Sequence, residues 1–191
     1  MAFMKLLQPE ELEEYLKNLR VRRSIKTIQN HHTYLPDYER FYESGAKVLV
    51  KNMKRYHKKH RGFSDIAQHF TTFPDGTIYT GRSMNKNPAG IKGANSGSIC
   101  MEHVGNFDAG NDKMTTEQKS TIILLNGLLC KKFALPVNTK TIIYHHWYDR
   151  DTGKRTNGKG YTKTCPGTTF FGGNKVADCK ANLIPMVKII T

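Results

Sequence analysis

Two hydrophobic periodicities alternate along this 191-residue chain and predict a mixture of strands and helices. Short apolar runs predict strands at residues 24–30, 98–104 and 141–144, and a hairpin over residues 68–79. Apolar residues recurring at three- and four-residue multiples predict an amphipathic helix from Tyr38 to about residue 60. Because helices alternate with strands and the hairpin adds an antiparallel pair, we expect an α/β fold with a central mixed β-sheet flanked by helices.

Local end signals mark the remaining helices. Pro9 and the acidic residues after it predict a short helix near the N-terminus. Thr115 and Gln118 have the spacing of a capping box, which predicts a helix running to about Phe133. A final helix is expected over residues 174–183. The length suits one domain, with residues 1–191 as the unit and a core at about 25–185.

Composition and charge narrow the class of protein. Hydrophobic residues make up 38% of the chain, which favours a globular domain, and no apolar stretch approaches the ~20 residues of a membrane helix. The first seven residues lack the features of a signal peptide, so we expect synthesis in a cytoplasm without export by that route. A formal charge of +14 indicates an anionic partner. Nucleic acid and an anionic cell-wall polymer are both partners of this kind.

Histidine and cysteine residues suggest metal chemistry. The pairs His31-His32 and His145-His146 each follow a predicted strand, and Cys165 precedes Pro166-Gly167. Imidazole and thiolate are preferred ligands of tetrahedral zinc, and three protein ligands leave a fourth position for water. Cys100 and Cys130 lie in apolar runs and are expected in the core.

Several stretches, taken in order, resemble the zinc amidase family shared by phage endolysins and animal peptidoglycan-recognition proteins. They are IQNHHT (28–33), GFSDIAQHF (62–70), DGTIYTGR (75–82), SICME (98–102), GNFD (105–108), His145 and KTCPG (163–167). The resemblance covers roughly residues 25–170. It implies that the protein cleaves the amide between N-acetylmuramic acid and L-alanine of the peptide stem in bacterial peptidoglycan. It also implies that each chain binds one zinc ion for this reaction.

The resemblance also assigns the site residues. The family's ligand positions fall on His31, His145 and Cys165. His32 and His146 are not expected to be ligands, because neighbours on a strand point to opposite faces. Some relatives use a tyrosine as general base at the position of Gln68, which cannot serve here. Others use a glutamate at the position of Glu102, so Glu102 is assigned as the base, and Lys163 as the donor to the developing oxyanion.

Three histidines outside the two pairs, His57, His60 and His103, are interpreted as ordinary surface or helix residues.

Two segments depart from the family pattern. His145 and Cys165 are 20 positions apart, which is more than in many relatives, so residues 147–161 are interpreted as an insertion beside the site. Its basic residues, including Arg150, would contact anionic wall polymer, or the segment would be a flexible solvated loop. In the Gly- and Asn-rich loop at residues 83–97, relatives often carry a substrate-contacting histidine, whereas this chain has Gly93-Ala94-Asn95.

The resulting hypothesis is a phage or prophage endolysin that acts on the cell wall after release. We expect a monomer that binds peptidoglycan and anionic wall polymer, without nucleic-acid binding or membrane insertion, and a separate C-terminal wall-binding domain could be missing. One alternative is an inactive peptidoglycan-recognition module, although such relatives typically lack the cysteine ligand. The other is a metal-dependent nuclease, suggested by the charge, which would leave the Cys165-Pro166-Gly167 motif unexplained.

Overall fold

A six-stranded mixed sheet forms the centre of the protein in this computed structural model, which describes residues 4–191. Residues 1–3, part of the N-terminal segment predicted to lack the features of a signal peptide, lie outside the described residues. The strands are β1 (Leu6–Leu7), β2 (Thr27–His32), β3 (Phe70–Thr72), β4 (Ile78–Thr80), β5 (Ser98–His103) and β6 (Ile142–Tyr144).

The strand order is β1-β4-β3-β5-β2-β6. Neighbours among β3, β5, β2 and β6 are parallel, whereas β4 pairs antiparallel with both β1 and β3. The predicted mixed α/β sheet is therefore confirmed. Because parallel strands end at the same edge of a sheet, the carboxyl ends of β2, β5 and β6 lie side by side.

Helices surround this sheet. They are α1 (Leu12–Asn18), α2 (Tyr38–Lys59), α3 (Thr116–Lys132), α4 (Val176–Asp178) and α5 (Ile184–Lys188). A 3₁₀ turn, Pro9–Glu11, precedes α1, and two others span His145–Trp147 and Phe170–Gly172. Helix α2 has its N-cap at Asp37 and is interrupted at Gly45, where φ is 73°. Among residues 4–191, no helix has the length and apolar character needed to cross a bilayer.

The main core lies between the sheet and α3. Ile28, Ile99 and Ile142 are fully buried there against apolar residues of α3, including Ile122 and Leu125. A smaller cluster joins α2 to the sheet edge through Phe41, Met53, Phe73 and Val104, among others. Cys100 and Cys130 are buried as expected.

Polar side chains are also buried between the sheet and α3. Asn30 of β2 exchanges hydrogen bonds of 3.1 Å with Asn126 of α3 and lies 3.0 Å from Nε2 of His103. The Nδ1 atom of His103 lies 2.9 Å from the Thr72 hydroxyl. The prediction that His103 is a surface or helix residue is therefore wrong. It lies on β5 with no exposed surface, because the face that β5 turns toward α3 is closed and its polar atoms are paired.

Two sequence predictions differ from the structure at element ends, and one strand was missed. Strand β2 starts at Thr27 instead of residue 24, because the Lys26 amide bonds to Gly97 before the ladder with Ser98 begins. The edge strand β1 was not predicted. The final helical segment runs from Val176 to Lys188, because a π-type turn at Cys179–Leu183 lets the chain continue through Pro185, whose ring nitrogen has no hydrogen to donate.

The capping box of α3 is only half formed. The Thr115 hydroxyl accepts a hydrogen bond from the Gln118 amide at 3.2 Å, as predicted. The Gln118 side chain does not reach back to Thr115. It donates instead to the carbonyls of Thr72 and Val104 at 3.2 and 2.9 Å, because Gln118 is buried against the sheet.

Candidate metal centre

The candidate site lies at the carboxyl edge of the sheet, on the face opposite α3. Asn30 contacts α3, so strand alternation turns its neighbour His31 to the other face. In the β2–β5 ladder, His31 is paired with Glu102, and laterally paired residues share a face. His145 follows the last residue of β6 directly. The sheet therefore brings together three residues that are more than 40 positions apart in sequence.

His31, His145 and Cys165 form one cluster. Their potential ligand atoms all lie within 4.8 Å of one another. The two Nδ1 atoms of His31 and His145 are 3.1 Å apart, and the Cys165 Sγ is 3.5 Å from the His31 Nδ1. His31 and Cys165 are buried, and His145 is half-buried.

The donor set fits a zinc ion. With zinc–nitrogen and zinc–sulfur bonds of about 2.0 and 2.3 Å, tetrahedral angles separate two nitrogens by about 3.3 Å and a nitrogen from a sulfur by about 3.5 Å. The observed separations of 3.1 and 3.5 Å are close to these values. Two imidazoles and a thiol also suit zinc better than Mg²⁺ or Ca²⁺, which prefer oxygen ligands.

A partner two residues earlier on β2 orients His31. The Nε2 atom of His31 lies 3.2 Å from the Gln29 Oε1, which can only accept, so Nε2 carries the hydrogen and Nδ1 keeps its lone pair. The Gln29 amide nitrogen in turn donates to the Ala94 carbonyl at 2.9 Å. Gly90 lets the loop approach this pair, since a Cβ there would lie 2.2 Å from the Gln29 Oε1. Such outer contacts fix the orientation of metal-binding histidines.

Sequence reasoning missed Gln29. The signal was available, because residues i and i+2 of a strand share a face, so the residue two before a candidate ligand can reach its ring. The 83–97 loop, noted for its missing histidine, supplies the Ala94 carbonyl to this arrangement.

The loop carrying Cys165 is held by several hydrogen bonds. The His146 amide donates to the Cys165 carbonyl at 2.7 Å, and the His146 Nδ1 lies 2.6 Å from the Lys163 carbonyl, to which it donates. The Thr164 hydroxyl donates to the Asp108 carboxylate at 2.9 Å. Gly167 packs so closely that a Cβ would lie 2.5 Å from the Phe107 carbonyl oxygen. The cysteine therefore has a fixed position beside β2.

His32 and His146, the second members of the two pairs, lie outside the cluster. His32 faces away from His31, and its Nδ1 accepts from the Phe107 amide at 3.1 Å. Strand alternation explains this first pair as predicted. It does not explain the second pair, because His145 and His146 lie in a 3₁₀ turn, where His146 is directed toward the Lys163 carbonyl. His57 accepts from the Ala67 amide, and His60 is exposed.

The electrostatics keep the histidines of the cluster neutral. Burial lowers the pKa of His31 well below its usual value, with further lowering by His145 and Lys163. Burial, together with Lys163 and Arg150, lowers the pKa of His145 to about 3. Burial raises the pKa of the Cys165 thiol, and the nearby Glu102 carboxylate raises it further. Neutral imidazoles are ready to bind a cation, and a bound cation would displace the thiol proton.

Glu102 and Lys163 line the same cavity as the cluster. Burial raises the pKa of Glu102 to about 8, although the Lys163 ammonium opposes this shift. Among residues 4–191, no side chain or amide donates a hydrogen bond to the Glu102 carboxylate within 3.5 Å. A carboxyl group with a pKa close to neutral, placed beside the candidate ligands, can both take up and release a proton near neutral pH.

The cavity is a groove of about 1020 Å³. It extends from His145 and Cys165 along α2 to Phe63, and basic residues line much of its length: Arg40, Arg61, Arg150 and Lys163. Glu102 is the single acidic residue among the described residues that line it. The groove is large enough for an extended ligand and is positively charged, so it favours an anionic one.

A mixed sheet that brings two histidines and a cysteine together at its carboxyl edge offers a donor set suited to a metal-dependent hydrolase. The chain belongs to the N-acetylmuramoyl-L-alanine amidase family, since the profile of that family matches residues 21–168.

Individual relatives agree with this assignment. The endolysin of Enterobacteria phage K11 is 31% identical over 87 residues, covering 46% of this chain and 57% of the endolysin. The chain thus spans less than two thirds of that curated relative. Among solved structures, the N-acetylmuramoyl-L-alanine amidase LysC from Clostridium intestinale URNW is 25% identical, with a TM-score of 0.57 over 78% of this chain and 80% of LysC. Drosophila PGRP-LB, 20% identical over 83% of this chain and 81% of its own, has the same fold with a TM-score of 0.61.

Proposed function

We propose that this protein is a zinc-dependent N-acetylmuramoyl-L-alanine amidase that hydrolyses the amide between N-acetylmuramic acid and L-alanine in bacterial peptidoglycan. The observation that carries the proposal is the convergence of His31, His145 and Cys165 to within 4.8 Å in a chain of this family. The match to a phage endolysin supports a role in lysis, with release of the protein to act on the cell wall.

His31, His145 and Cys165 would hold the zinc, which when bound supplies Lewis-acid polarisation of the scissile carbonyl and of the attacking water. Gln29 holds the His31 ring with its Nδ1 directed at the cluster. Glu102 accepts a proton from the attacking water and delivers it to the leaving nitrogen. The Lys163 ammonium stabilises the negative charge that develops on the carbonyl oxygen.

The basic groove supports peptidoglycan as the substrate, because stem peptides carry carboxylates and the groove is lined by four cationic side chains. The overall charge of +14 supports additional contact with anionic wall polymer. We further propose that residues 1–191 act as one catalytic unit and that the active form is a monomer.

The first test combines metal content with bond-specific cleavage. We expect about one zinc per chain, and clearing of Gram-positive cell walls that chelator abolishes and that exposes L-alanine amino termini without new reducing sugars. His31→Ala and Cys165→Ser should lose zinc and cleavage together, whereas His60→Ala, at an exposed position outside the groove, should keep both.

Three outcomes would contradict the proposal. Bound zinc without cleavage of any wall would favour the recognition-module alternative. Absence of bound zinc would mean that the cluster is not a metal site. Nicking of plasmid DNA that survives Cys165→Ser would favour the nuclease alternative, which the site itself disfavours because it offers imidazole and thiol donors with a single carboxylate.

A further inference from the structure

The segment at residues 147–161 is an ordered feature at the mouth of the groove. The Asp149 amide bonds to the Lys154 carbonyl at 2.9 Å, and the Thr156 amide bonds to the Trp147 carbonyl at 2.8 Å. The buried Trp147 ring anchors the segment, since its Nε1 donates to the Asn174 carbonyl at 2.7 Å. The loop can therefore hold a side chain in a defined place beside the candidate metal centre.

Arg150 is the residue that this segment presents to the groove. Its guanidinium stacks on the Tyr161 ring, 4.5 Å from the ring centroid, and its Nη1 donates to the Tyr161 hydroxyl at 2.7 Å. The Arg150 amide also donates to the Tyr161 carbonyl at 2.9 Å. These contacts leave Nε and Nη2 of the guanidinium as donors. A planar fork that is already oriented suits bidentate binding of a carboxylate.

Arg150 has no anionic partner among the residues that the structure describes. Within residues 4–191, no carboxylate lies within 4.0 Å of its guanidinium, whereas Arg40 in the same groove is paired with Glu43 at 2.8 Å. Arg150 lines the groove together with His31, His145 and Cys165. An oriented cation without a partner, beside the place where the scissile bond is expected, indicates that the substrate supplies the anion.

We propose that Arg150 binds the free α-carboxylate of the second stem-peptide residue, a D-glutamyl residue, and so selects stems in which this group is not amidated. The inference rests on the proposed function, which places the bond to L-alanine at the candidate metal centre. The carboxylate of the next residue is then the anionic group of the stem nearest to that bond. Lys163 is not available for it, because its ammonium is assigned to the carbonyl oxygen.

The test compares two ligands that differ only at this group. They are N-acetylmuramoyl-L-alanyl-γ-D-glutamyl-L-lysine and its D-isoglutaminyl counterpart, in which the α-carboxylate is a carboxamide. Dissociation constants are measured by calorimetry on the zinc-loaded protein in a Glu102→Gln background, so that binding is read without turnover. We expect the parent to bind the carboxylate form about tenfold more tightly, and high salt to reduce this preference.

Arg150→Gln should abolish the preference and leave the affinity for the carboxamide form unchanged. Lys154→Gln is the matched control, because it removes one positive charge from the same segment without touching the groove; it should keep the preference. Equal affinities of the parent for both ligands, no measurable binding of either, or a preference that survives Arg150→Gln would overturn the inference. Failure of the wild-type protein to cleave walls would instead contradict the proposed function, since the dissociation constants do not depend on cleavage.

Discussion

At the scale of single residues, side chains on strands β2 and β5 point alternately to the two faces of the sheet, and this alternation separates functional from structural positions. Gln29 and His31 face the groove, whereas Asn30 faces α3 and holds the strand to that helix. Glu102 and His103 divide in the same way on β5, one lining the groove and the other lying in the buried polar network. Each candidate functional residue therefore has a structural residue beside it in sequence.

This division predicts that Glu102→Gln separates metal binding from catalysis. The substitution keeps the size of the side chain but removes its capacity to accept a proton. We expect zinc content and thermal stability to remain close to wild type, and kcat to fall by at least about 100-fold. Glu117→Gln, which removes an exposed carboxylate from the first turn of α3, is the control and should keep full activity. Near-wild-type turnover of Glu102→Gln would show that the base lies elsewhere.

The proximity of the three predicted ligand residues agrees with the structure, whereas their role as metal ligands stays a prediction. The cluster of His31, His145 and Cys165 was expected from motif order, and the structure brings the three together. His103 was misjudged because nothing in its residue type distinguishes a satisfied buried imidazole from an exposed one. Its burial depends on Asn30 and Thr72, which reach it only through the sheet. The roles of Glu102 and Lys163 stay predictions.

At the scale of elements, the helices with strong local signals were predicted well. Helix α2 was expected from Tyr38 to about residue 60 and ends at Lys59, because its apolar spacing and the Asp37 cap agree. The two-residue strand β1 carries too little pattern to be recognised, and its pairing with β4 is a long-range contact. The π-type turn before Pro185 likewise has no local sequence signature that sets its position.

The N-terminus of α3 offers a test of capping in this fold. The Thr115 hydroxyl accepts from the Gln118 amide and donates to the Pro74 carbonyl at 2.6 Å, so it joins the helix start to the β3–β4 hairpin. Thr115→Ala should lower the free energy of unfolding by about 1 kcal/mol, measured by urea denaturation. Thr116→Ala, at the exposed first position of the helix, should change it by less than about 0.5 kcal/mol. Equal effects of the two substitutions would show that the cap contributes nothing specific.

At the scale of the whole molecule, several imidazoles are buried in neutral form. Burial lowers the pKa of His69 and of His103 to about 3 in each case, with His32 lowering that of His103 further. For His69, the guanidinium groups of Arg23 and Arg82 also lower the pKa, against the opposing bond to the Lys86 carbonyl. A histidine whose pKa is lower in the folded than in the unfolded state makes the unfolded state the stronger proton binder. The contribution of such a histidine to the free energy of unfolding is therefore fully present above pH 6.5, the pKa of the unfolded state, and is lost as the pH drops toward about 3.

His69 allows this acid sensitivity to be tested away from the metal cluster. Its Nδ1 accepts a hydrogen bond from the Cys100 amide at 3.0 Å, and its Nε2 donates one to the Lys86 carbonyl at 2.9 Å. Both ring nitrogens of the neutral form are therefore paired. A second proton, on Nδ1, would point at the Cys100 N–H, which is itself a donor. Between pH 4 and 6, His69→Gln should reduce the slope of unfolding free energy against pH by about 1.4 kcal/mol per pH unit. Urea denaturation in the presence of chelator measures this slope, and His60→Gln, at an exposed position, should leave it unchanged. A wild-type slope in His69→Gln would mean that this histidine takes up a proton without unfolding, and that the loop at residues 83–97 opens to let it do so.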